Sequence, residues 1–207
     1  MKIGIIGAGK IGATTAQLFV KAGHSVAISN SRGPETLQDT VKKLGDNAIA
    51  LSKDEAAAFG DMVLLATPWS KTEALPKPEL VKDKIVIDAM NPYKPDGGLY
   101  QLSGSTSSEE TAKKLPGAIV VKGFNTKNFR QLGAGSRKDL PLQERKAIFI
   151  AGDSIEAKAK VSRLIEEIGY AAVDTGNLHD GGKRQQPGTE VYNNDITCAE
   201  AHEMLGK

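Results

Sequence analysis

The first dozen residues constrain the fold more than any other part of the chain. The apolar segment Lys2–Ile6 runs straight into Gly7-Ala8-Gly9-Lys10-Ile11-Gly12, and a helical period follows to about Ala22. A GxGxxG run alone is a weak signal, but between a strand and a helix it is the fingerprint of a dinucleotide-binding βαβ unit. Gly7 permits the tight turn, Gly9 lets backbone approach a pyrophosphate, and Gly12 lets helix and strand pack closely. The unpaired N–H groups at the helix start then hold the anion. Lys10, in the first helical turn, reads equally well as added positive charge beside that anion or as a solvated lysine.

Farther along, apolar runs of strand length alternate with segments of helical period, the pattern of a parallel sheet with crossover helices. The expected strands are Lys2–Ile6, Ser25–Ser29, Ala48–Leu51, Met62–Ala66, Lys84–Asp88, Ala118–Lys122, Ala147–Ala151 and Ala171–Asp174. Helices are expected near Pro34–Leu44, from Lys53, over Glu109–Leu115, from Asn128, over Glu156–Ile168 with Asp153 or Ser154 as cap, and near Ile196–Leu205. Pro76 and Pro78 limit Trp69–Val81 to short helical pieces, and the Gly- and Ser-rich stretch Tyr93–Ser108 reads as a loop. The run Gly181–Gly188 has no apolar period. The predicted class is α/β, a doubly wound, mostly parallel Rossmann-type sheet of about eight strands. No interdomain linker interrupts it, so residues 1–207 read as a single domain, with 177–207 as a tail and helix packing on it.

Composition narrows the partners. With 27 Lys plus Arg against 25 Asp plus Glu, no long-range field favours nucleic acid. One cysteine, Cys198, fits a reducing cytoplasm, and no apolar run approaches the roughly 20 residues that cross a bilayer. Neither HExxH nor paired CxxC is present, and Cys198 with His202 reads as one helix face, so no metal site is expected. His24 and His179 fall in connections, where solvated histidines are expected. No Tyr precedes a Lys by four positions, which removes the carbonyl-reducing tyrosine–lysine arrangement.

The end of the second strand selects the nucleotide. NAD sites place Asp or Glu there for the ribose hydroxyls, whereas this chain has Ser29-Asn30-Ser31-Arg32-Gly33-Pro34. Asn30, Ser31 and Arg32 supply an amide, a hydroxyl and a guanidinium suited to a 2′-phosphate, which favours NADP(H). Pro34 suits the first helical position, so the phosphate is expected to face a second helix start. Three more strands end in Thr67-Pro68-Trp69, Met90-Asn91-Pro92 and Phe124-Asn125-Thr126, all at the carboxyl edge where ligands of such sheets bind. Trp69 and Phe124 read equally well as core aromatics, and Lys122 is similarly ambiguous.

Taken together, these segments and the closing unit Gly152-Asp153 through Gly169 resemble the NADPH-dependent reductases of the deazaflavin coenzyme F420 and their bacterial relatives. The resemblance implies that Gly9, Lys10 and Ile11 meet the pyrophosphate, that Ser31 and Arg32 meet the 2′-phosphate, and that Thr67, Pro68 and Asn91 lie on the nicotinamide side. By the same resemblance Phe124 and Asn125 border the acceptor, with Thr126 beside them. The NADPH-oxidising domains of membrane ferric reductases look similar too. The departure from the family lies in Lys183–Glu190, which replaces a helical segment that would help seat a deazaflavin.

The leading expectation is therefore an NADP(H)-dependent oxidoreductase that moves hydride between NADPH and a small planar acceptor, a flavin or deazaflavin. Such chemistry asks the protein for distance and orientation, so no catalytic acid or base is assigned. An imine or ketone acceptor would need a proton donor, and Lys122 or Tyr93 are the candidates. The rival expectation is an NADP(H)-binding redox sensor without turnover. A homodimer is the expected means of completing a wall that this short chain lacks.

Overall fold

Near-continuous Val, Ile and Leu in the central strands require cover on both faces of the sheet. In the computed structural model, which describes residues 1–206, they receive it. Strands β1 (Lys2–Ile6), β2 (Ser25–Ser29), β3 (Ala48–Ala50), β4 (Met62–Leu65), β5 (Ile85–Asp88), β6 (Ile119–Gly123), β7 (Ala147–Gly152) and β8 (Ala171–Gly176) form one sheet in the order 3-2-1-4-5-6-7-8. Every neighbouring pair is parallel except β6 and β7, where Val121 opposes Gly152 and Gly123 opposes Ile150. The fold is thus the expected α/β Rossmann-type sheet of eight mostly parallel strands. The chain runs outward from β1 to β3 and then returns to β4 on the other side of β1, which places the topological switch point between β1 and β4.

Alternation along the strands builds two apolar layers. Ile3 and Ile5 of β1 face a layer with Phe19, Ile28, Leu64, Ile87, Leu132, Val161 and Leu164, while Ile6 faces the opposite layer with Ala56, Val63, Leu65, Val86 and Leu115. The helices supplying these contacts are α1 (Lys10–Lys21), α2 (Gln38–Leu44), α3 (Lys53–Phe59), α4 (Ser107–Lys114), α5 (Phe129–Ala134) and α6 (Ile155–Glu167). The tail adds α7 (Asp180–Arg184) and α8 (Cys198–Met204), and α8 packs Cys198 and Ala201 against Phe149, Val173 and Val191. Among the described residues no helix is long and apolar enough to cross a membrane.

Four local expectations change in detail. The helix expected over Pro34–Leu44 splits into a 3₁₀ turn, Pro34–Leu37, and α2, because Leu37 leaves helical geometry (φ −107°, ψ 4°) as its side chain buries. Helix α4 begins two residues early, at Ser107, because Thr106 and Glu109 cap it reciprocally. Ser154 caps α6, and Asp153 instead accepts a hydrogen bond from the Leu178 amide at 2.8 Å. The glycine run of the tail is helical without an apolar period, since Gly181 lies against β8 so closely that a methyl there would sit 2.8 Å from the Gly176 nitrogen.

His24 is a correction of another kind. It is buried, 6% exposed, packed edge-on against Phe19 with Nε2 3.0 Å from the Glu167 carboxylate. Burial, followed by the repulsion of the N-terminal amino group and then Lys138, lowers its pKa against the opposing pull of Glu167. A histidine with a depressed native pKa takes up its proton more readily when unfolded. Its contribution to stability is therefore present above the unfolded value of 6.5 and is lost as pH falls through it. The thermal midpoint is expected to fall on acidification from pH 7.5 to 5, and His24→Gln is expected to flatten that fall; an unchanged slope in scanning calorimetry would remove His24 as a cause.

Candidate functional site

The geometry at the switch point begins with the β1–α1 turn. Gly7 has φ 109°, and a methyl on it would lie 2.5 Å from the Ala66 carbonyl oxygen. A methyl on Gly12 would overlap the Gly7 carbonyl oxygen, so helix and strand meet at a spacing that only glycine allows. At Gly9 a methyl would meet nothing within 4 Å, which leaves the backbone bare toward the cleft. Gly9 caps α1 without a side-chain hydrogen bond, and no acid stands in the first turn. The helix start thus keeps free N–H groups and the positive end of its dipole. Lys10 lies over the Phe129 ring, 4.8 Å from its centre, and Ile11 packs partly on the core.

From this turn a cleft of about 710 Å³ opens over the carboxyl ends of β1, β2 and β4. It brings together Gly7, Gly9, Asn30, Ser31, Arg32, Thr67 and Pro68, seven of the residues singled out by sequence. Asn30 holds its own loop: its Oδ1 accepts from the Arg32 amide at 2.9 Å, and its Nδ2 donates to Thr36 Oγ1 at 2.8 Å. Ser31 and Arg32 are exposed on that loop. The expected second helix start is not an α-helix. It is a four-residue 3₁₀ turn, and the Glu35 carboxylate crowds Gly33 at its entrance. The cleft is also lined by Ser52, Lys53, Lys71 and Glu73, which sequence reading missed although they too follow strand ends. Lys53 Nζ donates to the Glu73 and Leu75 carbonyls at 2.6 and 2.9 Å and so braces the far wall.

Beyond Pro68 the ends of β4, β5 and β6 meet. Thr67 Oγ1 lies 3.3 Å from the sulfur of Met90, which is buried, and the Met90 amide donates to Asp88 Oδ1 at 2.9 Å. Trp69 points away from the cleft, donates from Nε1 to the Ser107 carbonyl at 3.0 Å, and packs against Tyr100. It anchors the 93–106 loop. Pro92 is buried, its carbonyl accepting from the Tyr100 amide at 2.9 Å. Asn91 and Asn125 bracket each other: Asn91 Nδ2 donates to the Asn125 carbonyl at 2.9 Å, and Asn125 Nδ2 donates to Asn91 Oδ1 at 3.0 Å.

One expectation changes here, and an ambiguous residue finds its place. Phe124 does not border an open surface, because its ring is fully buried and edge-on to Phe19 at 6.1 Å. Its backbone is left-handed, φ 65°, a strain of about 1–3 kcal/mol that turns the chain so that Asn125 faces Asn91. Lys122 is sealed as well, with no exposed surface. Its Nζ donates to Ser107 Oγ and Ser108 Oγ, both at 3.1 Å, and Ser108 passes a 2.8 Å hydrogen bond to Asp88. Burial lowers the Lys122 pKa, and the Asp88 charge opposes that shift. The lysine ties β5, β6 and α4 together beneath the site.

Asn125 and Thr126 are nearly buried, and both are held by the tail. Asn125 Nδ2 reaches the Gln185 carbonyl at 2.8 Å, and the Thr126 carbonyl accepts from the Asn193 amide at 2.7 Å. Tyr93 stands at the rim, its hydroxyl 3.1 Å from that of Tyr192. Nothing local in the sequence marks Gln185, Tyr192 or Asn193, which arrive from 60 residues or more away.

An uncapped helix start, a bare glycine face and an exposed guanidinium around one cleft suit a phosphate-rich dinucleotide. Known proteins point the same way. The family model described as NADP oxidoreductase coenzyme F420-dependent matches residues 2–92. A hypothetical protein of Sinorhizobium meliloti is 31% identical and superposes with a TM-score of 0.82 over 95% of either chain. A protein of Arthrobacter sp. FB24 described as an F420-dependent NADP-reductase is 25% identical, with a TM-score of 0.77 over 95% of this chain and 99% of that one. Rat metalloreductase STEAP3 is 28% identical over 86% of this chain but only 34% of its own, and the curated relatives in general are matched over about a third to a half of their length. The chain is an NAD(P)-binding oxidoreductase homologue and belongs to the family of coenzyme F420-dependent NADP oxidoreductases.

Proposed function

We propose that this chain binds NADP(H) in the cleft and passes reducing equivalents to a flavin- or deazaflavin-like acceptor at the carboxyl edge of β4, β5 and β6. The observation that carries the reading is the pairing of an uncapped α1 start with an acid-free β2 end that presents Arg32 to the same cleft. Gly9 and the first turn of α1 would hold the pyrophosphate, and Ser31 and Arg32 the 2′-phosphate, with Asn30 fixing their loop. Thr67, Pro68 and Asn91 would border the nicotinamide, which when bound supplies a hydride. The family implies this cofactor, and the Arthrobacter relative's description supports the deazaflavin end of the reading.

The residues around Asn91 do two things in such a reaction. They orient, through the Asn91–Asn125 bracket, and they exclude water, through buried Met90 and Pro92. Turnover without a dedicated acid is consistent with a sealed Lys122, which is in no position to protonate an imine.

Arg32→Ala is expected to weaken NADP⁺ binding roughly 10- to 100-fold while leaving NAD⁺ binding nearly unchanged; equal losses by calorimetry would refute the assignment. Lys122→Met leaves Ser107 Oγ and Ser108 Oγ without their buried donor and is expected to cost about 1–3 kcal/mol of stability whether or not nucleotide is present. A Lys122→Met protein as stable as wild type but without turnover would instead place the ammonium in the reaction.

A further inference from the structure

The tail does more than cover an edge of the sheet. Between Gln185 and Asp195 it is pinned across the ends of β5 and β6 at both extremities. The Gln185 carbonyl accepts from Asn125, while Asn193 bonds Thr126, Asn128 and Gln131, and buried Lys127 pairs with Asp195 at 2.7 Å. Tyr192 is held between these anchors. Its hydroxyl lies 3.1 Å from that of Tyr93, whose side of the pair is at the exposed rim, and 3.5 Å from Asn91 Nδ2.

Proton counting gives this pair a direction. Two phenol oxygens in mutual contact use one O–H between them, and Asn91 donates a further N–H to Tyr192, so one O–H of the pair remains to be given outward. The same seam carries surplus accepting capacity, because Asn125 Oδ1, Thr126 Oγ1 and Gln185 Oε1 are buried without a partner. We propose that Tyr192, together with Tyr93, positions the acceptor by donating a hydrogen bond to a carbonyl oxygen on the pyrimidine edge of a flavin- or deazaflavin-type ring laid beside Asn91. The inference rests on the reading of the cleft given above and assigns its acceptor side to the tail.

The chemistry of that edge fits. A flavin or deazaflavin pyrimidine ring presents carbonyl, N–H and carbonyl in succession, and a rigid phenol is a donor that meets a carbonyl at low entropic cost. Burial and the neighbouring Tyr93 push the Tyr192 pKa up, so it serves as a neutral donor and not as a base. Tyr192 is a positioning residue by this account. It fixes where the ring sits, while the nicotinamide carries the electrons.

The test uses riboflavin as carbonyl-bearing probe and methylene blue as a planar tricycle without that edge, each titrated by fluorescence or absorbance into NADP⁺-loaded protein. Tyr192→Phe is expected to weaken riboflavin roughly 3- to 10-fold, with methylene blue and NADP⁺ affinities unchanged. Tyr93→Phe, altered at the exposed rim where folding is not at stake, is expected to weaken riboflavin in the same direction. Loss of both dyes together would mean that the pair merely holds the seam, and it would overturn the proposal. So would wild-type riboflavin affinity in both variants, or no riboflavin binding by the NADP⁺-loaded wild type. Failure of the wild type to take up NADP⁺ at all would overturn the cofactor reading first, and is told apart by calorimetry without dye.

Discussion

The joint between β1 and α1 is where the rest of the molecule takes its bearings. Helix and strand approach until Gly12 touches the Gly7 carbonyl, and Gly7 itself turns against Ala66 with φ 109°. Because no side chain fits that contact, the axis of α1 is fixed to the sheet and its uncapped start is aimed along the switch point between β1 and β4. The other long element over that face, α6, starts under a side-chain cap at Ser154. The α1 start is thus singled out by what it lacks, a polar side chain at Gly9 and an acid in its first turn.

What could be read in advance was what local physics determines. Strand limits at Lys2–Ile6 and Ser25–Ser29 were legible because apolar runs bounded by glycine or serine have few alternatives. The β2 end was legible because the missing acid and the Arg32 loop lie within five residues of each other. The capping pair Thr106–Glu109 is equally legible in principle, since a threonine three residues before a glutamate is a helix-start signature, although a Gly- and Ser-rich stretch surrounds it.

The rest depended on contacts that no local window contains. His24 looked like a connection residue and is buried because Phe19 and Glu167 close over it. Lys122 and Phe124 flank Gly123 at the end of β6, and the sequence leaves both open between core and site. The side chain of Lys122 is committed to α4 and Asp88, and the left-handed turn at Phe124 sends its ring into the α1 layer. The tail was the least legible part, since Tyr192 finds its partner Tyr93 only once the sheet exists to bring them together. Of its glycines, Gly181 is there for close packing on β8.

That tail has a temporal consequence. Every residue lining the cleft at the switch point lies at or before Ala74, whereas the segment that straps β5 and β6 begins near Gln185. A chain growing on the ribosome therefore has its cleft residues in hand more than a hundred codons before it can close the opposite rim. The nascent chain would carry that cleft as an open half-shell, and the rim would be the last part to set.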